Sequence, residues 1–206
     1  MINLTRDWFV AIALLSVTQV ATAQQVIRVP NGSRVVMIDG KLSAGEWDDA
    51  AQFSIGDVAR GYIKQSRGYV WMAVERLSGD DFALDFYLQP SDRSLYDLHS
   101  SAKIGERKLQ GSFWSDHWTW WNNDRWAANC SRVDSFEQRK FLPQKVREFQ
   151  IARERFAGDT WLVMFELLLP AQRKWQTLIF PQGARNTSTE HWMLFNLKSV
   201  SYTHLT

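Results

Sequence analysis

The residues with the clearest chemical potential lie in a tryptophan-rich run from Phe113 to Trp126. The chain has 206 residues and eleven tryptophans, and five of these tryptophans fall between Trp114 and Trp126. Flat indole rings can cover the apolar C–H faces of sugars, while carboxylates, amides and guanidinium groups bond the sugar hydroxyls. The run supplies both kinds of group within 14 residues, so it predicts a carbohydrate-binding surface.

A strand followed by a turn would position these groups. Alternation along a strand places Trp118 and Trp120 on one side and Trp121 on the other. The sequence Asn122-Asn123-Asp124 is typical of a turn, which would bring polar groups to a loop tip beside the rings. The predicted ligand-binding residues are Trp118, Trp120, Trp121, Asn122, Asp124, Arg125 and Trp126. The alternative is that the rings are core or a packing lid, because indoles bury large apolar areas.

Short strands separated by turns predict an all-β fold for the rest of the chain. Their spacing of roughly 8–12 residues is typical of an antiparallel β-sandwich, of jelly-roll or immunoglobulin-like type. The apolar segment 69–77 predicts a central strand covered on both faces, and the apolar segment 160–169 also predicts a central strand. Alternation predicts a strand over 82–89. Further strands are expected over 34–38, 94–99 and 102–110.

The chain also predicts one hairpin and a little helix. The hairpin joins the arms 146–156 and 160–169 through Gly158-Asp159. One or two short helices are expected, over 136–147 and 170–176. Ser43 and Glu46 have the spacing of a capping box, which predicts a short helical turn.

The first 23 residues predict a secretory signal sequence. The apolar run over 8–20 is shorter than the about 20 residues that span a bilayer, and it ends in Ala21-Thr22-Ala23, a pattern that signal peptidase reads. Cleavage after Ala23 would leave a single exported domain over 24–206, in the periplasm, the outer envelope or the extracellular space, with no membrane span. A retained N-terminal anchor helix is the alternative.

Charge and metal-ligand content exclude several classes of function. The net charge of +2 argues against a nucleic-acid binder, which usually carries a clustered basic excess. The single cysteine, Cys130, cannot form an internal disulfide and is expected to be a buried apolar residue. The four histidines are scattered without the spacing of a zinc site.

A family resemblance is carried by residues 38–50, with the sequence IDGKLSAGEWDDA. This segment resembles the opening of family 9 carbohydrate-binding modules, in which a strand is followed by Asp-Gly, a spacer, Glu-Trp and Ala. Segments 69–74 and 161–170 resemble later strands of the family. The resemblance implies a β-sandwich related to the DOMON group, whose members bind sugars or, in some branches, haem. It also implies that Trp47 plugs one end of the sandwich.

No cofactor is expected from these residues. The resemblance implies that Asp48-Asp49 and Asp80-Asp81 could contribute to a structural calcium site, and solvated turn carboxylates are the alternative. Haem would need an apolar pocket with an axial ligand, and the sequence nominates none. Trp47, Trp71 and Trp161 are expected in the framework of the sandwich.

Catalysis has no recognisable constellation in the sequence. A nucleophile elbow, a phosphate loop and a Ser/His/Asp order are all missing. Four glutamates, at 46, 75, 137 and 166, could supply a glycosidase-type carboxylate pair, but no spacing pairs any two of them. Two hypotheses result: an exported, non-catalytic carbohydrate-binding module, or an envelope structural or interaction protein with the same fold and no sugar site. Exposed indoles beside polar groups would favour the first.

Overall fold

The computed structural model describes residues 24–79, 81–100, 104–121, 126–129, 132–135, 138–140, 144–171 and 174–198. The predicted signal sequence, residues 1–23, lies outside these ranges. The strands are β1 (Val26–Arg28), β2 (Ala51–Ile55), β3 (Ala59–Ser66), β4 (Tyr69–Arg76), β5 (Ala83–Gln89), β6 (Tyr96–Ser100), β7 (Ile104–Gln110), β8 (Phe113–Trp114), β9 (Thr119–Trp121), β10 (Trp126–Asn129), β11 (Arg132–Ser135), β12 (Gln138–Lys140), β13 (Val146–Ala152), β14 (Thr160–Ala171), β15 (Lys174–Phe180) and β16 (Met193–Asn196).

Two sheets pack face to face, which confirms the predicted all-β sandwich. The nine-stranded sheet has the order β1-β16-β14-β5-β6-β7-β8, with β15 also beside β14 and β9 also beside β7. The five-stranded sheet has the order β10-β13-β4-β3-β2, and β11 and β12 form a separate pair. The strand pairs are antiparallel apart from β1 and β16, which are parallel.

The main core fills the space between the two sheets. Alternate residues of β14 point into it, and Trp161, Val163 and Phe165 are each fully buried there. From the opposite sheet, β4 contributes Val70 and Met72 to the same cluster. Both segments pair with strands on either side, so the prediction that they are central strands is confirmed.

The predicted hairpin over 146–169 is wrong. β13 pairs with β4 and β14 pairs with β5, so the two arms belong to different sheets. A 3-10 turn over Arg153–Arg155 carries the chain across the end of the sandwich, and the main-chain N–H of Arg153 donates to the Gly68 carbonyl at 2.8 Å. Two strands that follow each other in the sequence can pair side by side in one sheet or face each other across the core. The alternation of apolar residues along each strand is the same in both cases.

The predicted helices are also wrong. Residues 170–176 lie in the β14–β15 hairpin, where Pro170 is in register with Trp175. Within 136–147, β12 and the start of β13 are strands, and the other described residues, 144 and 145, are not helical. Across the described residues, Arg153–Arg155 is the one helical element, and no helix there is long and apolar enough to cross a membrane.

Residues 31–50, which we call the cover segment, lie over the outer face of the five-stranded sheet. The predicted strand over 34–38 is absent, because its N–H groups bond to side-chain carboxylates instead of to a neighbouring strand. Asp49 Oδ2 accepts from the N–H groups of Ser33 and Arg34 at 2.7 and 2.8 Å, and Glu46 accepts from Met37. The expected helical turn over 43–50 consists of successive turns, in which the Ser43 N–H donates to Glu46 Oε2 at 3.2 Å.

Trp47 anchors this cover segment. Its ring is 4% exposed, packs against Tyr62 at a centroid separation of 6.2 Å, and has the Lys64 ammonium 5.5 Å from its centroid. It therefore belongs to the framework, as predicted, but it lies on the outer face of the five-stranded sheet and not at an end of the sandwich. Trp161 is fully buried in the main core, and Trp71 is half-buried beside the Trp47 cluster.

Candidate functional site

The outer face of the nine-stranded sheet carries a row of side chains that runs across its strands. Strand register places Glu166 opposite Asp85, Asp85 opposite His99, His99 opposite Gly105, and Gly105 opposite Trp120. We call this set the outer row. Its neighbours along the strands, such as Phe86, Phe165, Leu98 and Ile104, point inward to the core. A polar residue inserted between two core positions of a strand must face outward.

A second row lies one step along the same face. Met164 of β14 is opposite Tyr87, Tyr87 is opposite Asp97, and Asp97 is opposite Arg107. The Tyr87 hydroxyl donates to Glu166 Oε2 at 3.1 Å, which connects the second row to the outer row. The two rows therefore form one polar patch over β14, β5, β6 and β7, in which Met164, Tyr87 and Asp97 of the second row are buried.

Two carboxyl groups in the patch orient the nitrogen-bearing side chains beside them. Asp85 Oδ1 contacts His99 Nδ1, and Asp97 Oδ2 accepts from Arg107 Nε at 2.8 Å. The Asp97 side chain is fully buried and Asp85 is nearly so, whereas His99 and Arg107 keep 22% and 23% of their side-chain surface exposed. The carboxylates therefore act from beneath, and the imidazole and guanidinium are the groups that reach solvent.

The aromatic rings lie over this polar patch. Trp118 and Trp120 stack with centroids 5.8 Å apart and planes at 29°, and His99 meets both rings edge-on at 5.7 and 6.3 Å. The Arg107 guanidinium lies 4.4 Å from the Trp118 centroid, a cation–π distance. Trp118 is half-buried, whereas Trp120 is 48% exposed.

Gly105 allows the two indoles to lie flat on the sheet. A Cβ atom at this position would stand 2.8 Å from Trp118 Cε3 and 3.0 Å from Trp120 Cζ3. Both distances are at or below the closest approach of real Cβ atoms, so any larger residue would push the rings away from β7. The bare backbone at Gly105 thus completes the outer row between His99 and Trp120.

Burial shifts the acid–base behaviour of the patch. Burial, assisted by the nearby Asp85, raises the pKa of Asp97 to about 7 even though Arg107 opposes the shift. Burial also raises the pKa of Glu166 against the opposing hydrogen bond from Tyr87. Burial, together with the nearby Asp97, raises the pKa of the Tyr87 phenol, which therefore remains a hydrogen-bond donor near neutral pH. Glu166 and Tyr87 thus form a fixed acceptor–donor pair.

The structure brings together only some of the predicted binding residues. Trp118 and Trp120 share one face, as predicted, and Trp121 is in register with Ile104, the alternate position along β9. Asn122, Asp124 and Arg125 lie outside the described residues. Trp126 begins β10, in register with Ile151 at the edge of the five-stranded sheet, so it belongs to a different sheet from Trp118 and Trp120.

The sequence analysis missed most of the polar partners. Asp85, Asp97, His99 and Arg107 come from three strands, so no local spacing relates all of them. One signal was present: a charged residue interrupts an apolar strand at Asp85 and at Glu166. A charged residue between core residues of a strand lies on the outward face and indicates that this face interacts with polar groups.

Metal binding finds no support in the described part of the chain. No group of three or more His, Cys, Asp or Glu side chains is arranged there to hold a metal ion. Asp49 pairs with Lys64 at 2.7 Å and Asp81 with Arg147 at 2.9 Å, so both are committed to protein cations. Asp80 lies outside the described residues.

The patch thus combines an exposed indole, a half-buried imidazole and guanidinium, and the partly exposed Glu166 carboxyl group on one face. Such a set can stack on an apolar ring face and exchange hydrogen bonds with hydroxyl groups. Comparisons with protein-family models, with curated proteins and with solved structures gave no match.

Proposed function

We propose that this protein binds carbohydrate without catalysis, through the outer row of the nine-stranded sheet. The observation that carries the proposal is Trp120, whose 48% exposed indole lies in the same row as His99, Asp85 and Glu166. An exposed ring beside oriented donors and acceptors matches the two needs of a sugar, an apolar face and a rim of hydroxyls. A core or lid role alone would not require the polar row.

The row suits an extended saccharide better than a compact ligand. Ile179 of β15 is in register with Glu166, on the side of β14 away from Asp85, and so continues the row. It is 41% exposed. From β15 to β9 the row crosses six strands, which is about 24 Å at the usual strand spacing. A saccharide lying across the strands would stack on Trp120 at one end, contact Ile179 at the other and bond to His99 and Glu166 between them.

Protein interaction is the second candidate function. The exposed rings of Phe113 and Trp175, 79% and 59% exposed, favour it, because exposed aromatic residues are enriched at protein interfaces. Trp175 lies at the end of the β14–β15 hairpin, in register with Pro170. It is on the outer face, four residues along β15 from Ile179, which is in register with Glu166 of the outer row. The two candidates therefore depend on different indoles.

Substitution of single tryptophans tests the proposal. We expect the purified protein to bind one or more oligosaccharides on a glycan array, and Trp120→Ala to weaken that binding about ten-fold or more, as loss of a central aromatic contact does. Trp175→Ala is the matched control, since it removes an indole of greater exposure, and it should leave the affinity unchanged in calorimetric titration.

Two results would contradict the proposal. One is a wild-type protein that binds no saccharide. The other is binding that Trp175→Ala abolishes and Trp120→Ala leaves intact. Self-association lost only in Trp175→Ala or Phe113→Ala, without any sugar binding, would support the interaction protein instead.

A further inference from the structure

We propose a second binding site, for an anionic saccharide, in a cleft on the five-stranded sheet. The cleft has a volume of about 510 Å³, and its lining includes Ser33, Arg34, Val35, Ser66, Arg67 and Trp71. This volume lies within the roughly 300–1,000 Å³ of small-molecule sites. The cleft shares no residue with the outer row, so the inference does not rest on the proposed function.

One wall of the cleft is the start of the cover segment, and it is rigidly held. Gly32 donates its N–H to the Gln65 carbonyl at 2.8 Å, and Asp49 accepts from the N–H groups of Ser33 and Arg34. The fully buried Lys64 ammonium bonds both to Asp49, at 2.7 Å, and to the Arg34 carbonyl, at 3.1 Å. A wall fixed before the ligand arrives avoids the entropic cost of ordering it on binding.

Trp71 supplies an apolar surface in the cleft. Its ring is half-buried, and its Nε1–H donates to Ser66 Oγ at 3.1 Å. Tyr69 lies against the ring with a centroid separation of 5.7 Å. The indole is thus held in one orientation, and Val35, 70% exposed, adds apolar surface to the lining.

The charge of the cleft is positive. Arg34 and Arg67 are both exposed, and neither forms an ion pair with a carboxylate anywhere in the described ranges. The lining contains no Asp or Glu. Asp49, whose carboxylate holds the wall of the cleft, already pairs with Lys64. Two guanidinium groups without partners are the side chains that bind carboxylate or sulfate oxygens best, because their planar forks match those groups.

This combination suits an anionic sugar. A pyranose ring would stack on Trp71, its hydroxyls would bond to Ser33 and Ser66, and its anionic substituent would meet Arg34 and Arg67. The outer row has a different character, since it carries the carboxyl groups of Asp85 and Glu166, whereas the lining of the cleft contains none. Neutral and anionic saccharides should therefore separate between the two sheets.

Titration of the full chain with three saccharides tests this site. The probes are an oligouronate, a sulfated oligosaccharide and a neutral oligosaccharide of matched length. Their binding is measured by calorimetry at low and at physiological salt concentration. We expect at least one anionic probe to bind, and Arg67→Gln and Arg34→Gln each to weaken its binding about five-fold and to reduce its salt dependence. The probe that binds identifies the anion as carboxylate or sulfate.

Arg93→Gln is the matched control. Arg93 is exposed like Arg67, has a left-handed φ of 64° against 51° for Arg67, and lies outside the cleft. It should leave the affinity for the anionic probe unchanged, and so should Trp120→Ala. The proposal is overturned if neither anionic probe binds, if Arg34→Gln and Arg67→Gln have no effect, or if Arg93→Gln weakens binding equally. If the neutral probe binds in a way that requires Trp120 and neither anionic probe binds, this site is overturned and the proposed function stands.

Discussion

At the scale of single residues, Asp97 is the most consequential group in the candidate site. Its side chain is fully buried, Oδ2 accepts from Arg107, and Oδ1 has no hydrogen-bond partner in the described structure. A buried carboxylate with one unsatisfied oxygen is costly when it is ionised. Asp97 therefore orients Arg107 under Trp118 at the expense of stability.

Because the buried Asp97 is costly to ionise, we predict that the stability of the folded state depends on pH. The pKa of Asp97 rises from 3.8 to about 7 in the folded state, mainly through burial, so between these values the folded state binds more protons than the unfolded state. The free energy of unfolding should therefore fall as the pH rises through this window. Asp97→Asn keeps an acceptor for Arg107 but cannot ionise, so it should reduce that fall.

Urea unfolding at both ends of the pH window checks the prediction. The informative quantity is the difference between wild type and Asp97→Asn, because Glu148 adds to the same trend: burial raises its pKa to about 7 despite hydrogen bonds from Gly40 and Asp39. An equal fall in the two proteins would show that Asp97 does not titrate in this range.

At the scale of elements, the cover segment explains why an acidic motif precedes the first long strands. The carboxylates of Glu46 and Asp49 accept hydrogen bonds from main-chain N–H groups of the segment, and Trp47 packs the segment onto the sheet. Glu148 of β13 accepts from the N–H groups of Asp39 and Gly40 at 2.9 and 2.7 Å. The motif over 38–50 therefore has a structural role, and it holds one wall of the cleft in place.

Adjacent aspartates allow a controlled test of this element. Burial opposes ionisation of Asp49, but hydrogen bonds from Lys64, Arg34 and Ser33 prevail and lower its pKa to about 2. Asp49→Asn would leave the buried Lys64 ammonium without a counter-charge, so we expect a loss of about 2–3 kcal/mol in the free energy of unfolding. Asp48→Asn, at an exposed neighbouring position, should cost almost nothing.

Chemical denaturation compares the two variants, and amide hydrogen exchange at Ser33 and Arg34 reports the segment directly. Faster exchange at these amides is expected in Asp49→Asn alone. Similar stability and exchange in both variants would show that the Asp49–Lys64 pair does not hold the segment.

At the scale of the whole molecule, a group of phenylalanine rings joins the two sheets. Phe53 of the five-stranded sheet lies 5.6 Å from Phe165 and 5.5 Å from Phe195, both of the nine-stranded sheet. Phe86 stacks on Phe165 at 5.3 Å. Gly61 leaves room for Phe53, since a Cβ there would lie 2.1 Å from Phe53 Cζ. The packing of the sandwich therefore depends on contacts between residues far apart in sequence.

A double-mutant cycle measures this connection. Phe53→Leu and Phe165→Leu should each cost about 1–1.5 kcal/mol of stability, and their effects should be non-additive by at least about 0.5 kcal/mol because the rings touch. Phe113, 79% exposed, provides the comparison: Phe113→Leu should be nearly neutral and additive with Phe165→Leu. Full additivity of the first pair would mean that the two sheets are not coupled through these rings.

The sequence by itself determined that β4, β5 and β14 are strands and that β4 and β14 are central. The runs at β4, β5 and β14 carry periodic or continuous apolar residues, and such patterns are properties of the local chain. The same patterns failed for 136–147 and 170–176, where short polar stretches have weak local preference and strand partners decided the outcome.

Only the tertiary structure decided the partners of each strand and the composition of the site. Trp118 and Trp120 could be placed together from alternation, but Asp85, His99 and Glu166 meet them through the register of separate strands. Trp126, six residues after Trp120, lies in the other sheet. Register depends on which strands pair across the whole molecule, and this information is not contained in the spacing of residues along one strand.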